Sequence, residues 1–341
     1  MSKNPLITTI IPTFRRPVLV RRAIVSVLSQ TLCDLRVFVY DNASNDETET
    51  TVRVLQSIDP RIDYYQHSLN IGALNNFNFA LGKVESKYFS FLSDDDFLLP
   101  DFYELATAAL EAHPEAAFVS TEVLLVDKAM RLMGRANEKW KPGYYSAPAG
   151  LMAMCGDNRP PTWTGILFRR SVVDAVGLLD AEVGMAADFD YVRRIAAKSP
   201  FLVLPSVGAV FVQHPESTSS HLSLDMMWPG TRKMAQNLLL DESLPLHFRC
   251  RLRPLLENEM GLSLFNSGWM ALLDGRREEC RRAAEILQRE FRLWWRAGLL
   301  RTSAWLVEEL PAFRTFVAGH PLRRWRTFKH TLRLINRGKP A

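Results

Sequence analysis

Through the first 125 residues, short β-branched or aromatic runs alternate with segments whose apolar positions recur at helical spacing. Residues 6–11 read as a strand ended by Pro12. Residues 18–29 read as a helix with Leu19, Ala23 and Val27 on one side. Further strands are predicted at 35–40, 62–66, 88–92 and 117–121, with helices at 51–56, 75–81 and 102–111 between them. The turn-forming run Asp41-Asn42-Ala43-Ser44-Asn45-Asp46 follows the second strand, with Ser44 or Asn45 as the cap of the next helix. Such alternation with short connections predicts a mainly parallel sheet with helices on both faces. Ligands of such sheets bind beyond the carboxyl ends of the strands. Three predicted strands end there in polar residues: Thr13, Asp41, and the run Asp94, Asp95, Asp96.

Residues 127–165 are less regular and rich in Gly, Pro and aromatics. Helices are predicted over 170–176 and 189–197, separated by a turn at Gly177, and a strand over 200–212. From about residue 230 the pattern is helical almost to the end, which sets a boundary near 225–230. Leu252, Leu255, Leu262, Phe265, Trp269 and Leu272 fall on one helical face. Leu287, Phe291, Trp294, Gly298, Thr302 and Trp305 fall on another.

The 341 residues, 47% hydrophobic and 23% charged, fit a folded protein of about two domains and argue against disordered and fibrous classes. Charge is unevenly spread. Residues 276–341 hold 16 Lys and Arg against 6 Asp and Glu, a net of +10, while residues 1–275 carry −5. The asymmetry points to an anionic partner for the tail. Arg323, Arg324, Arg326, Lys329, Arg333, Arg337 and Lys339, with Trp325 and Phe328 between them, read as a membrane-surface segment or as a solvated helical face. Cys33, Cys155, Cys250 and Cys280 lack the spacing of a zinc or redox motif and fit a reducing compartment. No signal peptide is read at residues 1–9. The longest apolar stretch, 201–212, is broken by Pro205 and Ser206, short of the roughly 20 residues a membrane span needs. The expectation is a chain that is soluble or lies on a membrane without crossing it.

Three adjacent carboxylates at a strand end repel one another, and each is costly near a core unless paired. A divalent cation relieves both penalties. Mg²⁺ and Mn²⁺ take oxygen ligands, and Mg²⁺ commonly joins one or two carboxylates to substrate phosphates. The plainer use of the triplet is a solvated turn that caps the helix near Pro100 and Asp101. Its place after an apolar strand favours the metal.

Four motifs occur in order across residues 6–101: Thr9-Ile10-Ile11-Pro12-Thr13-Phe14-Arg15-Arg16, Val39-Tyr40-Asp41-Asn42-Ala43-Ser44-Asn45-Asp46, Asn70-Ile71-Gly72 with Asn75 and Asn76, and the Asp triplet. Together they resemble the opening strand, second-strand motif, Asn-x-Gly segment and DXD-type motif of family 2 glycosyltransferases. The resemblance implies a GT-A fold, a Rossmann-like, mainly parallel α/β sheet flanked by helices, with a C-terminal helical domain. Residues 1–228 would be catalytic, with a nucleotide-sugar-binding half (1–125) and an acceptor-side half (126–228), and 229–341 the helical basic domain. It implies an inverting, metal-dependent transfer with Mg²⁺ or Mn²⁺, from a nucleotide-sugar donor to a glycan or lipid-linked glycan. The setting would be surface polysaccharide or O-antigen assembly, cytoplasmic or peripheral on the inner face of the cell membrane.

The resemblance also implies roles. Asp41 would accept a hydrogen bond from the nucleotide base, the alternative being turn capping. Pro12, Thr13 and Arg15 would line the same pocket, and Asn70 and Asn75 would support the donor. Asp94 would sit near the ribose or metal, and Asp95 and Asp96 near the metal and diphosphate. Alignment on Pro100 puts Ser93 where the family often has its first Asp, whereas the frame Asp94-x-Asp96 restores two carboxylates, so the direct ligand stays open. Asp188, in Ala186-Ala187-Asp188-Phe189-Asp190, matches the family's base at a helix start, with Ala187 in place of the usual Glu. Its other use is as a helix N-cap, and Asp190 is the fallback base. His214 matches a His that reaches the metal or diphosphate, or is a loop residue. Thr164 and Gly165 match a small-residue segment near the acceptor. Trp140 and Trp163 are candidate sugar platforms, although burial is the commoner fate of Trp. Two rivals are weaker. A sugar-phosphate nucleotidyltransferase would carry a glycine-rich loop after the first strand, absent from Pro12-Thr13-Phe14-Arg15-Arg16. A nucleic-acid-binding protein would show a recognised motif in the tail, and none is found, so no nucleic-acid partner is expected.

Overall fold

The computed structural model describes residues 5–155, 158–214 and 223–310. The chain forms two compact units. One comprises residues 1–215 with 240–244, the other 216–239 with 245–341.

The first unit opens with β1 (Ile7–Thr13), α1 (Pro17–Leu28), β2 (Leu35–Asp41), α2 (Thr48–Ile58), β3 (Ile62–Gln66), α3 (Ala73–Leu81) and β4 (Tyr88–Phe91). Each helix returns the chain to the start of the next strand, so β3, β2, β1 and β4 lie side by side, all parallel. Beyond them come β5 (Phe97–Leu98), α4 (Phe102–Ala112), β6 (Phe118–Asp127), β7 (Leu132–Ala136), β8 (Gly143–Tyr145), α5 (Ala149–Cys155), β9 (Ile166–Arg169), α6 (Ser171–Val176), α7 (Ala187–Lys198) and β10 (Phe201–Gln213). The sheet runs β3-β2-β1-β4-β9-β6-β10-β5, with β7 on β6 and β8 on β10.

Of the mainly parallel sheet expected, the parallel part comprises β3, β2, β1 and β4, together with β6 beside β10. β9 runs antiparallel to both β4 and β6. α5 precedes it in the chain, and a short 3₁₀ turn, Trp163–Gly165, leads directly into it. The region 127–165, read as irregular, contains the short β7, β8 and α5.

Apolar residues of α1, α2 and α4 cover one face of the sheet around Ile7, Ile11, Val37 and Val39. On the other face Phe77 of α3 meets Phe91 edge-on at 5.5 Å, and Tyr191 of α7 lies 6.0 Å from Phe168. The helix N-termini differ from the sequence expectation. α2 begins at Thr48, whose amide is held by Asp46 rather than by Ser44 or Asn45. α7 begins at Ala187, so Asp188 is in its first turn and is not its N-cap.

The second unit is helical: α8 (Leu224–Leu239), α9 (Leu246–Leu273), α10 (Arg277–Arg289) and α11 (Trp294–Glu309). The boundary expected at 228 falls inside α8, because Leu224 packs with Leu264, Leu272 and Leu287 of the helical core. Gly268 allows close helix contact, since a Cβ there would stand 2.8 Å from both Ala283 Cβ and Leu300 Cδ1. Of the two faces read from the sequence, Leu252, Leu272 and Leu287 are buried, and Phe265, Trp269 and Phe291 pack partly buried against the helical core. α9 buries Leu252, Leu256, Gly261, Leu264 and Gly268, while Leu262 is exposed. α11 buries Ala297, Leu300, Ala304 and Val307 and leaves Trp294 and Trp305 outside. Small residues win the interface because they let the helices approach closely. Among the described residues no helix is long and apolar enough to cross a membrane. The basic run 323–339 lies outside the described residues.

Candidate active site

The strand tips converge. Thr13 and Asp41 are register partners at the ends of β1 and β2, and the Asn42 amide donates to Thr13 O at 2.9 Å. Thr13 Oγ1 in turn donates to Asp94 Oδ2 at 2.7 Å. The second-strand motif and the Asp triplet are thus joined through one threonine.

Asp41 is fully buried, and its carboxylate organises its own turn. Oδ1 accepts from the Ser44 amide at 2.9 Å, and Oδ2 accepts from Tyr64 Oη at 2.6 Å. Burial, then the bond to Asp41, pushes the Tyr64 phenol far above its ordinary range. The turn-capping use of Asp41 is therefore realised. Ala43 and Arg15, at φ 63° and 56°, hold left-handed conformations that side chains rarely adopt. The Arg15 amide donates to Ser44 Oγ at 2.8 Å, tying the loops after β1 and β2 together. Asn42 binds Asn70 Oδ1 (2.9 Å) and the Ile71 amide (2.9 Å), bringing the Asn-x-Gly segment to the same tips. Asn75 is exposed and donates to Ile71 O at 2.8 Å, within its own turn. Pro12 is partly exposed beside Thr13.

The three aspartates have different surroundings. Both oxygens of Asp96 are engaged within the fold, by Thr164 Oγ1 at 2.8 Å and by the Val212 amide at 2.9 Å. It is fully buried, which pushes its carboxyl well above the ordinary range. Asp94 is held by Thr13 and by Arg16 Nη1 at 2.9 Å, and burial raises its pKa, with Arg16 opposing. Asp95 Oδ2 meets Arg16 Nη1 and His214 Nε2, each at 2.9 Å. The Arg22 guanidinium donates to Asp95 O.

Among the described residues no three His, Cys, Asp or Glu side chains converge as a ready metal cluster. The donor chemistry nonetheless fits a hard divalent cation. Two carboxylates, Asp94 and Asp95, share one guanidinium, and Asp95 with His214 offers an oxygen and a nitrogen, the side chains 14% and 9% exposed. Asp96 fits poorly as a direct ligand because both its oxygens are taken.

Asp188 is partly exposed, and its Oδ1 accepts from the Phe189 amide at 2.8 Å. Desolvation pushes its carboxyl up to about 6. One turn further on, the Tyr191 ring packs 6.5 Å from Phe91, three residues before Asp94. This anchors the start of α7 to the strand that carries the triplet. The fallback base, Asp190, is fully buried and holds Arg194 at 2.7 Å, an arrangement unsuited to proton abstraction from a substrate.

The acceptor-side residues divide. Trp163 is partly exposed and packs 4.8 Å from both Phe77 and Phe91. Thr164 serves Asp96, and a Cβ on Gly165 would come within 2.6 Å of Val123. Trp140 is 6% exposed, donates Nε1 to Arg159 O at 2.9 Å, and meets Tyr145 and Phe201 edge-on. Its position corrects the expectation of a sugar platform, since the ring is already spent on the core. Residues given no role from sequence also act here. Arg16 bridges two carboxylates, and its place in the Thr13–Arg16 run was the available signal. Asn78 clamps Leu179 through both backbone groups, at 2.9 Å each, and nothing in its local sequence marked it.

Comparison with known proteins identifies the family and the fold. Residues 8–177 match the family model described as glycosyl transferase family 2. A GalNAc(5)-diNAcBac-PP-undecaprenol β-1,3-glucosyltransferase of Campylobacter jejuni is 38% identical over 96 residues, 28% of this chain and 31% of that protein. The chain thus matches about a third of that relative's length. The structure of S. aureus TarS 1-349 in complex with UDP-GlcNAc superposes with a TM-score of 0.63 at 15% identity, covering 96% of this chain and 91% of that one. The mannosyltransferase PcManGT of Pyrobaculum calidifontis, in complex with GDP-Man and Mn²⁺, superposes with a TM-score of 0.53 at 19% identity, covering 97% and 88%. The likeness to both is one of fold, GT-A with a helical C-terminal region.

Proposed function

The chain belongs to glycosyl transferase family 2 through residues 8–177, and from that premise we propose that it moves a sugar from a nucleoside-diphosphate-sugar donor to a hydroxyl of a glycan or lipid-linked glycan, with inversion. The observation that carries the reading is the continuous set of contacts from Asp41 through Thr13 and Asp94 to Asp95 and His214. Elements far apart in sequence are joined there at the carboxyl end of the parallel strands, where such sheets bind nucleotides.

In this reading the turn shaped by Asp41, with Pro12, Thr13 and Arg15, forms the base pocket, and Asn70 supports the donor. Asp95 and His214 are the direct metal ligands, Asp94 stands beside them near the ribose, and Asp96 holds the triplet in place. Mg²⁺ or Mn²⁺, when bound, offsets negative charge developing on the departing nucleoside diphosphate. Arg16, already between two carboxylates, is placed to contribute a second positive charge to the same oxygens. Asp188 accepts the proton of the attacking hydroxyl. A carboxyl raised to about 6 is largely ionised at neutral pH and a better base than an ordinary aspartate.

Lipid-linked acceptors are supported by the C. jejuni relative, whose name gives such a substrate. They would bring this enzyme to the cytoplasmic face of a membrane, the setting expected from the basic tail. The test is a screen of UDP-, GDP-, dTDP- and CDP-sugars with Mn²⁺ or Mg²⁺, reading nucleoside diphosphate release. One donor should be hydrolysed in a chelator-sensitive way. Indifference of every donor to metal would remove the metal from the proposal, and silence across all donors would count against transfer.

A further inference from the structure

We propose that the outward face of α11 is a docking surface that seats on an anionic lipid bilayer. Trp294, Trp295, Leu299 and Trp305 are 63%, 61%, 49% and 56% exposed. At 100° per residue they fall on one side of the helix with Gly298 and Thr302; no charged residue of that side precedes Glu309, and from the neighbouring side the Arg296 guanidinium lies over the Trp295 ring at 5.0 Å. Arg301 stands at its edge. The opposite side, Ala297, Leu300, Ala304 and Val307, is already in the core of the helical unit. α11 is therefore apolar on both sides, whereas a helix with one face in water ordinarily carries charged and polar residues on that face. Trp294 and Trp305 are three turns apart, roughly 16 Å along the axis, so the patch is elongated rather than a single exposed side chain.

The composition selects the occupant. Tryptophan is enriched at the membrane–water boundary, where its ring is apolar and its N–H remains solvated. The chain that follows α11, residues 311–341, holds eight Lys and Arg and no Asp or Glu. A Trp-bearing helix face next to such a basic run matches the two requirements of an anionic bilayer, apolar insertion and charge attraction. A second copy of this chain would bring the same excess of positive charge against itself. Binding would be peripheral, because no described helix can cross a membrane. The inference deepens the membrane side of the proposed function while resting on a surface of its own.

The test uses the full chain in co-sedimentation with phosphatidylcholine vesicles, with and without phosphatidylglycerol. Wild type should bind the anionic vesicles in a salt-sensitive manner. The triple variant W295S/L299S/W305S should lose about tenfold or more in partitioning while melting and hydrolysing donor as wild type does. Because the variant could misfold, brominated lipids provide a second reading on unmutated protein: they should quench its tryptophan fluorescence. Equal binding by the triple variant, absence of quenching, or concentration-dependent self-association that the triple variant abolishes would overturn the proposal. Intact donor hydrolysis without vesicle binding would remove only the docking surface. Vesicle binding without hydrolysis of any donor would remove only the transferase reading.

Discussion

Asp95 and His214, 119 positions apart in the chain, meet at 2.9 Å. One follows β4 and the other follows β10, so the contact exists only when the sheet is complete. Removing either partner is expected to weaken Mn²⁺ binding in the presence of nucleoside diphosphate by about tenfold or more, since even the groups supporting metal ligands carry 10–100-fold effects. Titration of Asp95→Asn and His214→Ala, followed by the electron paramagnetic resonance of free Mn²⁺, checks this. Unchanged affinity in both would exclude the pair as ligands.

Asp188→Asn should leave donor binding intact and lower transfer by about 10²- to 10⁴-fold, the range for loss of a general base. In the wild type, kcat/KM should fall below pH about 6, where the carboxyl takes up its proton. Calorimetry with the donor and a pH–rate profile with an acceptor separate the two statements. Full transfer by the variant would remove Asp188 as base.

The same residue has a consequence for stability. Its folded-state pKa, about 6, lies above the ordinary 3.8, so folding takes up a proton between those values. Stability from this group is fully present below pH 4 and is lost as pH rises through 6. Asp188→Asn should therefore melt higher than wild type at pH 8, and the gain should shrink towards pH 4. Thermal scans at the two pH values decide it.

Thr164→Val would leave a buried Asp96 oxygen without its donor, at a cost of about 1–3 kcal/mol. Urea unfolding should show that loss, while Mn²⁺ affinity of the folded variant should change far less than in Asp95→Asn. A large loss of metal binding with unaltered stability would instead make Asp96 a direct ligand.

The parallel half of the sheet was legible in the sequence because apolar runs and helical periodicity separate cleanly through residues 6–112, and because Thr13 and Asp41 end β1 and β2 and Asp94 follows β4. β7 and β8 were not, since residues exposed on a sheet margin lack the alternation that marks a half-buried strand. Which side of α9 and α11 is buried was not legible in the sequence, because the close-packed interface holds Gly261, Gly268, Ala297 and Ala304, which give no strong apolar signal. Thr13, Asp41, Asn70 and the Asp triplet, which the structure brings to the same strand tips, all lie in the four motifs. The division of labour within the Asp triplet was not legible, because it depends on Thr164, Val212 and His214, which arrive from the turn before β9 and from the end of β10 and the residue after it.

The most direct measurement is anomalous diffraction at the manganese edge from crystals grown with Mn²⁺ and the nucleoside diphosphate of the active donor. The account predicts a peak at bonding distance, roughly 2.2 Å, from Asp95 and His214, with the diphosphate on its open side and the Asp188 carboxyl facing the same cleft. A peak bound elsewhere, or Asp188 opening onto another surface, would contradict it.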